Sequence, residues 1–154
     1  MAVTEQTQDQ KVANELLNAA MSFARVVLRR YGELGPFGFF MDNDRQVERA
    51  KLDIPRLPRD PERLYHLLGE YLVKEARRGS IKAAVMAANI ALSQPSKEGY
   101  RDAVLLHIEQ KNGYCTEAVI PYRIIGGQLR NLLPRRIAFG QIEATDARAK
   151  LFTS

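Results

Sequence analysis

Residues 102–125, DAVLLHIEQKNGYCTEAVIPYRII, hold the only cysteine of the chain, Cys115, one of its two histidines, His107, and the carboxylates Glu109 and Glu117. A cysteine nucleophile needs a neighbouring base to hold it as thiolate, and a catalytic histidine needs a carboxylate to orient it. A zinc site needs three or four such donors converging on one point. These chemistries depend on which side chains share a face, so the first question is how the segment folds. Two β-rich runs flank Asn112-Gly113, the pattern of a β-hairpin.

Two registers are open. A two-residue loop of Asn112 and Gly113 makes a type I′ turn, sets Glu109 opposite Thr116 and His107 opposite Ala118, and puts Cys115 on the face away from His107. A three-residue loop, Lys111 to Gly113, with Gly113 left-handed in a bulge, sets Glu109 opposite Cys115 and His107 opposite Glu117. A slip of one residue moves a strand's whole side-chain set to the other face. The second register is favoured because it gathers Val104, Leu106, Ile108, Ala118, Ile120 and Tyr122 on one apolar face, as a half-buried antiparallel pair requires. His107, Glu109, Cys115 and Glu117 then share the other.

In that arrangement a carboxylate faces the thiol and raises its pKa, the wrong direction for a nucleophile, and His107 reaches Cys115 only diagonally. The cluster therefore reads as a recognition face. The rival reading is a small hydrolase or transferase using His107 with Glu109 or Glu117. No metal site is expected, because a flat strand pair seldom completes a tetrahedral set and the other histidine, His66, lies mid-helix. No cofactor is expected either. Asp42-Asn43-Asp44 lacks the glycine and distant glutamate of a calcium loop. Gly32, Gly35, Gly38 and Gly126-Gly127 lack the lysine of a phosphate loop. Neither G-x-S-x-G nor H-E-x-x-H occurs.

With 154 residues, 45% hydrophobic and 27% charged, the chain has the composition of one globular domain. Its net charge of +5 suits an acidic partner or nucleic acid. Basic residues concentrate at Arg25, Arg29 and Arg30, at Lys74, Arg77 and Arg78, and at Arg130, Arg135 and Arg136. The last trio is the candidate nucleic-acid patch. Two of the groups fall where helices end, where the helix dipole favours cations. Phe37, Phe39, Phe40, Tyr122 and Phe139 fall on expected strands and could stack bases, but their apolar neighbours favour a core. One cysteine forms no internal disulfide, so a cytoplasmic protein is expected. The start MAVTEQTQDQ is unlike a secretion signal, and no apolar run approaches the ~20 residues of a membrane span.

The elements that must position the cluster follow from periodicity. Residues 9–31 repeat apolar positions at helical spacing (Ala13, Leu16, Ala20, Phe23, Val27, Tyr31), and Gly32 ends the run. Residues 37–41 and 46–52 form a first hairpin across Asp42-Asn43-Asp44. Asp60-Pro61 starts a second helix reaching Arg78, with Gly79 as its C-terminal stop. Residues 81–92 are apolar on both alternations, as in a central strand. The hairpin 102–125 follows, then a short helical turn at 128–133 and a last strand at 136–142. A single domain over 1–154 is expected, with 1–8 and 144–154 loosely ordered. The fold class is α+β: an antiparallel sheet of about five strands with both helices on one face, in the order α-β-β-α-β-β-β with a further strand. This order resembles profilin-like and roadblock or longin-type domains.

The join Tyr31-Gly32-Glu33-Leu34-Gly35-Pro36-Phe37-Gly38, followed by a strand and Asp42-Asn43-Asp44, resembles the helix, x-P-F-G strand and D-x-D turn opening of small uncharacterised bacterial α/β proteins. Gly113-Tyr114 with Pro121-Tyr122-Arg123 resembles their closing hairpin. Arg45 stands where that turn carries glycine. The resemblance implies an immunity-type or accessory protein. The partner expected is another protein, met on the open sheet face, or a second copy joined through a sheet edge. Nucleic acid at Arg130, Arg135 and Arg136 ranks behind it, and no membrane contact is expected.

Overall fold

The computed structural model describes residues 7–127 and 133–153. Helix α1 spans Gln8–Tyr31, followed by β1 (Phe37–Asp42), β2 (Val47–Arg49), α2 (Pro61–Arg77), β3 (Ile81–Ala91), β4 (Asp102–Gln110), β5 (Cys115–Ile125), β6 (Arg136–Phe139) and β7 (Glu143–Asp146). The class is α+β, as expected, but among the described residues the antiparallel sheet has seven strands rather than about five, in the order β2-β1-β3-β4-β5-β6 with β7 also on β5. Among the described residues no helix is long and apolar enough to cross a membrane.

Helix α1 starts in a capping box: Thr7 accepts from the Gln10 N–H, and the Gln10 side chain accepts from the Thr7 N–H. Gly32 closes it in the left-handed conformation. Its buried stripe is Val12, Ala13, Leu16, Ala20, Ala24 and Leu28, whereas Tyr31, expected on that stripe, is 60% exposed. Helix α2 begins at Asp60, whose side chain accepts from the Glu62 N–H, with Pro61 in the first turn. It buries Leu68 and Leu72.

The expectation that both helices lie on one face is corrected. Helix α1 packs on Val85, Ala87, Val104, Leu106, Ile108 and Ile120 in one core. Helix α2 packs on Ile81, Ala84 and Met86 in a second core. Alternate residues of one strand point to opposite faces, so β3, carrying Ala83, Val85 and Ala87 in the first core and Ala84 and Met86 in the second, is covered on both sides. The β1 aromatics divide the same way. Phe37 and Phe39 join Phe23 of α1, with Phe23–Phe37 ring centroids 4.7 Å apart, and Phe40 joins the α2 core. Tyr122 and Phe139 belong to the first core, so these rings fill the interior instead of offering a stacking platform.

The hairpin adopts the favoured register. Glu109 is opposite Cys115 and His107 opposite Glu117. The Gln110 N–H donates to Tyr114 O and the Gly113 N–H to Gln110 O, with Gly113 at φ 99°. The expected last strand ends at Phe139 rather than at 142, and the expected helical turn at 128–133 falls almost wholly outside the described residues. The segment expected as a loosely held tail is instead built into the fold. Strand β7 pairs with the first half of β5, and Leu151 is buried in the α2 core.

The first hairpin turn contains the only non-glycine residue at positive φ among the described residues, Arg45 at 64°. The turn is held by Asp42, whose Oδ1 accepts from the N–H groups of Asp44 and Gln46. A residue with a Cβ pays ~1 kcal/mol in this conformation and glycine does not. Arg45→Gly is therefore expected to be about 1 kcal/mol more stable than Arg45→Ala in urea denaturation. Both variants lose the half-exposed Arg45–Glu15 ion pair at 3.2 Å equally. Equal stabilities would contradict this account of the turn.

Candidate functional site

His107 and Glu109 project from β4 on the face away from α1, and Cys115 and Glu117 stand opposite them on β5. Register alone puts the four side chains together. Burial then separates them: Glu109 is 0% exposed and His107 1%, while Cys115 and Glu117 are half-buried. His107 Nε2 is 2.7 Å from Glu109 Oε1 and 3.7 Å from Cys115 Sγ. His107 Nδ1 lies 3.7 Å from Glu117 Oε1 and has no hydrogen-bond partner; among the described residues it is the only buried side-chain nitrogen or oxygen without one.

What encloses the cluster is the C-terminal segment. The backbone N–H groups of Lys150, Leu151 and Phe152 all donate to the Glu109 carboxylate, at 2.6 to 3.0 Å. Leu151 wedges into the α2 core, and Lys150 Nζ lies over the Tyr65 ring of α2, 3.3 Å from its hydroxyl oxygen. The tail thus runs as a strap from β7 to α2 across the buried carboxylate. Sequence reasoning missed this contact. The available signal was the apolar pair Leu151-Phe152 in an otherwise polar tail.

Electrostatics follow the geometry. Burial opposes ionisation of Glu109, but the His107 bond and the three peptide N–H groups outweigh it and hold its pKa below the ordinary value of 4.5. The Cys115 thiol is pushed up to about 11, first by burial and then by the charges of Glu109 and Glu117. The thiol is therefore protonated at neutral pH and is not poised as a nucleophile. The three donor atoms of His107, Glu109 and Cys115 lie within 4.8 Å of one another. No metal site was expected on this strand pair, and these three side chains are the ones whose donor atoms it brings together.

The other candidates disperse. Arg130 lies outside the described residues. Arg135 Nη1 donates to the carbonyls of Arg29 and Arg30 at 3.2 and 3.1 Å, capping the last turn of α1. Arg136 opens β6 and is exposed. Arg25 lies 4.8 Å from the centroid of the Phe139 ring and ties α1 to β6. His66 is exposed and pairs with Glu70 at 2.9 Å.

A second feature of this face was not expected. Helix α2 covers its β1–β3 half, and the strap covers Glu109. Beyond them Ala88 and Ile90 of β3, Leu105 of β4 and Val119 of β5 are partly exposed, and Leu105 pairs directly with both Ala88 and Val119. Ile90, Leu105 and Val119 belong to neither core. Comparison with protein-family models, with curated proteins and with solved structures finds no match for this chain.

Proposed function

We propose that this chain is a non-enzymatic binding or accessory protein, of the immunity type suggested by the resemblance of its opening segment, and that it receives a protein partner on the sheet face beside α2. The observation that carries this reading is the apolar strip Ile90, Leu105 and Val119, which is half-buried and packs into neither core. Glu117 and Arg123 flank it on β5. An apolar centre with a charged rim is the usual anatomy of a recognition surface. The raised thiol pKa of Cys115 also argues against nucleophilic catalysis.

Leu105→Arg and Val119→Asp, made singly, test the reading by affinity capture from native cells and titration of whatever protein is recovered. Each is expected to weaken the complex by ~30-fold or more, the effect of a charge at the centre of an interface. The melting temperature should stay within about 2 °C, since neither side chain fills a core. A chain recovered alone from native cells, or a partner that binds both variants as well as the parent, would overturn it.

A further inference from the structure

The buried end of the same face carries a separate inference, independent of partner docking. We propose that His107 Nε2, Glu109 Oε1 and Cys115 Sγ form a three-ligand site for a borderline-soft divalent cation of the zinc class, with Glu117 as the outer carboxylate on His107 Nδ1.

Three observations support it. First, one nitrogen, one oxygen and one sulfur donor converge within 4.8 Å, the mixed set that suits zinc and its first-row neighbours rather than magnesium or calcium. Second, the orphaned Nδ1 on a histidine 1% exposed gains a role. If Nε2 binds the cation, Nδ1 carries the ring proton and directs it at Glu117 Oε1, 3.7 Å away. Metal-bound histidines characteristically direct that second N–H at a carboxylate. With the proton on Nε2 instead, Nδ1 is a buried acceptor with nothing to accept from. Third, the ligands are held in place. Glu109 is fixed by the N–H groups of residues 150–152, and His107 and Cys115 sit on paired strands.

The local charge has the right sign. Two carboxylates and a thiol lie together against one ammonium, Lys150, whose charge reaches Cys115 while its Nζ sits 3.3 Å from the Tyr65 hydroxyl. The cysteine binds as thiolate, its proton passing to solvent as the cation enters. The half-exposed side of Cys115 leaves the fourth position to water.

The test uses the full chain, stripped with chelator and titrated with Co2+ and then Zn2+. One Co2+ per chain is expected, with a near-ultraviolet thiolate-to-cobalt band that Zn2+ displaces. Cys115→Ser should abolish the band and weaken binding by about 100-fold or more, and Glu117→Gln should weaken it by roughly tenfold or more. His66→Gln should bind as the parent does. His107→Gln can fail to fold, so Cys115→Ser, at a half-exposed position, decides the matter, with circular dichroism as the check on folding. Absence of binding to the folded parent, binding without the thiolate band, or unchanged affinity in Cys115→Ser would each overturn the proposal.

Discussion

Glu109→Ala is expected to destabilise the protein by ~3–5 kcal/mol in chelator-containing buffer, the usual effect of removing one partner from a buried charge network. For a chain of this length that is a fall in melting temperature of roughly 10 °C. The cause is specific. The carboxylate accepts from the N–H groups of Lys150, Leu151 and Phe152 and from His107 Nε2. Truncation leaves these groups either unsatisfied in the interior or exposed by release of the strap. Release also withdraws Leu151 from the α2 core. Hydrogen exchange should therefore show residues 147–153 losing protection first. Glu109→Gln keeps the volume and one acceptor oxygen and should fall between the two. A melting temperature within about 2 °C of the parent would mean that the strap contributes little.

The same network sets the acid limb of the stability curve. Glu109 has a folded-state pKa held below the ordinary 4.5, so it binds a proton more readily when unfolded. Its contribution is complete above that ordinary value and disappears as pH falls through the lowered folded-state value. The stability of the parent should fall steeply as the pH drops through that window, and Glu109→Gln should show a flatter acid limb. Parallel acid limbs would remove Glu109 as the source.

The second large effect concerns the two cores. Leu16→Ala beneath α1 and Leu72→Ala beneath α2 should each lose about 2–5 kcal/mol, since both side chains are 0% exposed. Because the two cores lie on opposite faces, the losses should be independent. The double variant Leu16→Ala/Ile81→Val, whose second change costs about 0.5–1.5 kcal/mol, should equal the sum of its singles within about 0.5 kcal/mol. Coupling well beyond that would show that the faces communicate through β3. Urea denaturation of the single and double variants measures both quantities.

Much of this architecture was legible in the residues. Apolar periodicity located both helices, and Asp60-Pro61 and Gly32 marked their limits because free N–H groups and left-handed turns select those residue types. The hairpin register followed from one condition, that the apolar side chains share a face. The same condition put His107, Glu109, Cys115 and Glu117 together. The two-sided burial of β3 was also written in its sequence, since a strand apolar on both alternations has no face to give to water. With both helices on one side, Ala84 and Met86 would have faced solvent.

The residues alone gave both helices, the central hairpin with its register and the membership of the polar cluster, because these rest on local propensity and on a period of two along paired strands, but they did not give strand β7. The surroundings of the cluster come from tertiary packing. Whether Glu109 meets solvent or three peptide N–H groups depends on where residues 150–152 cross the sheet, a contact between segments some 41 to 43 positions apart that no local pattern encodes. Likewise, α2 covers only part of its face. The shape of the packed layers, not the hydrophobicity of any one strand, leaves Ile90, Leu105 and Val119 outside both cores.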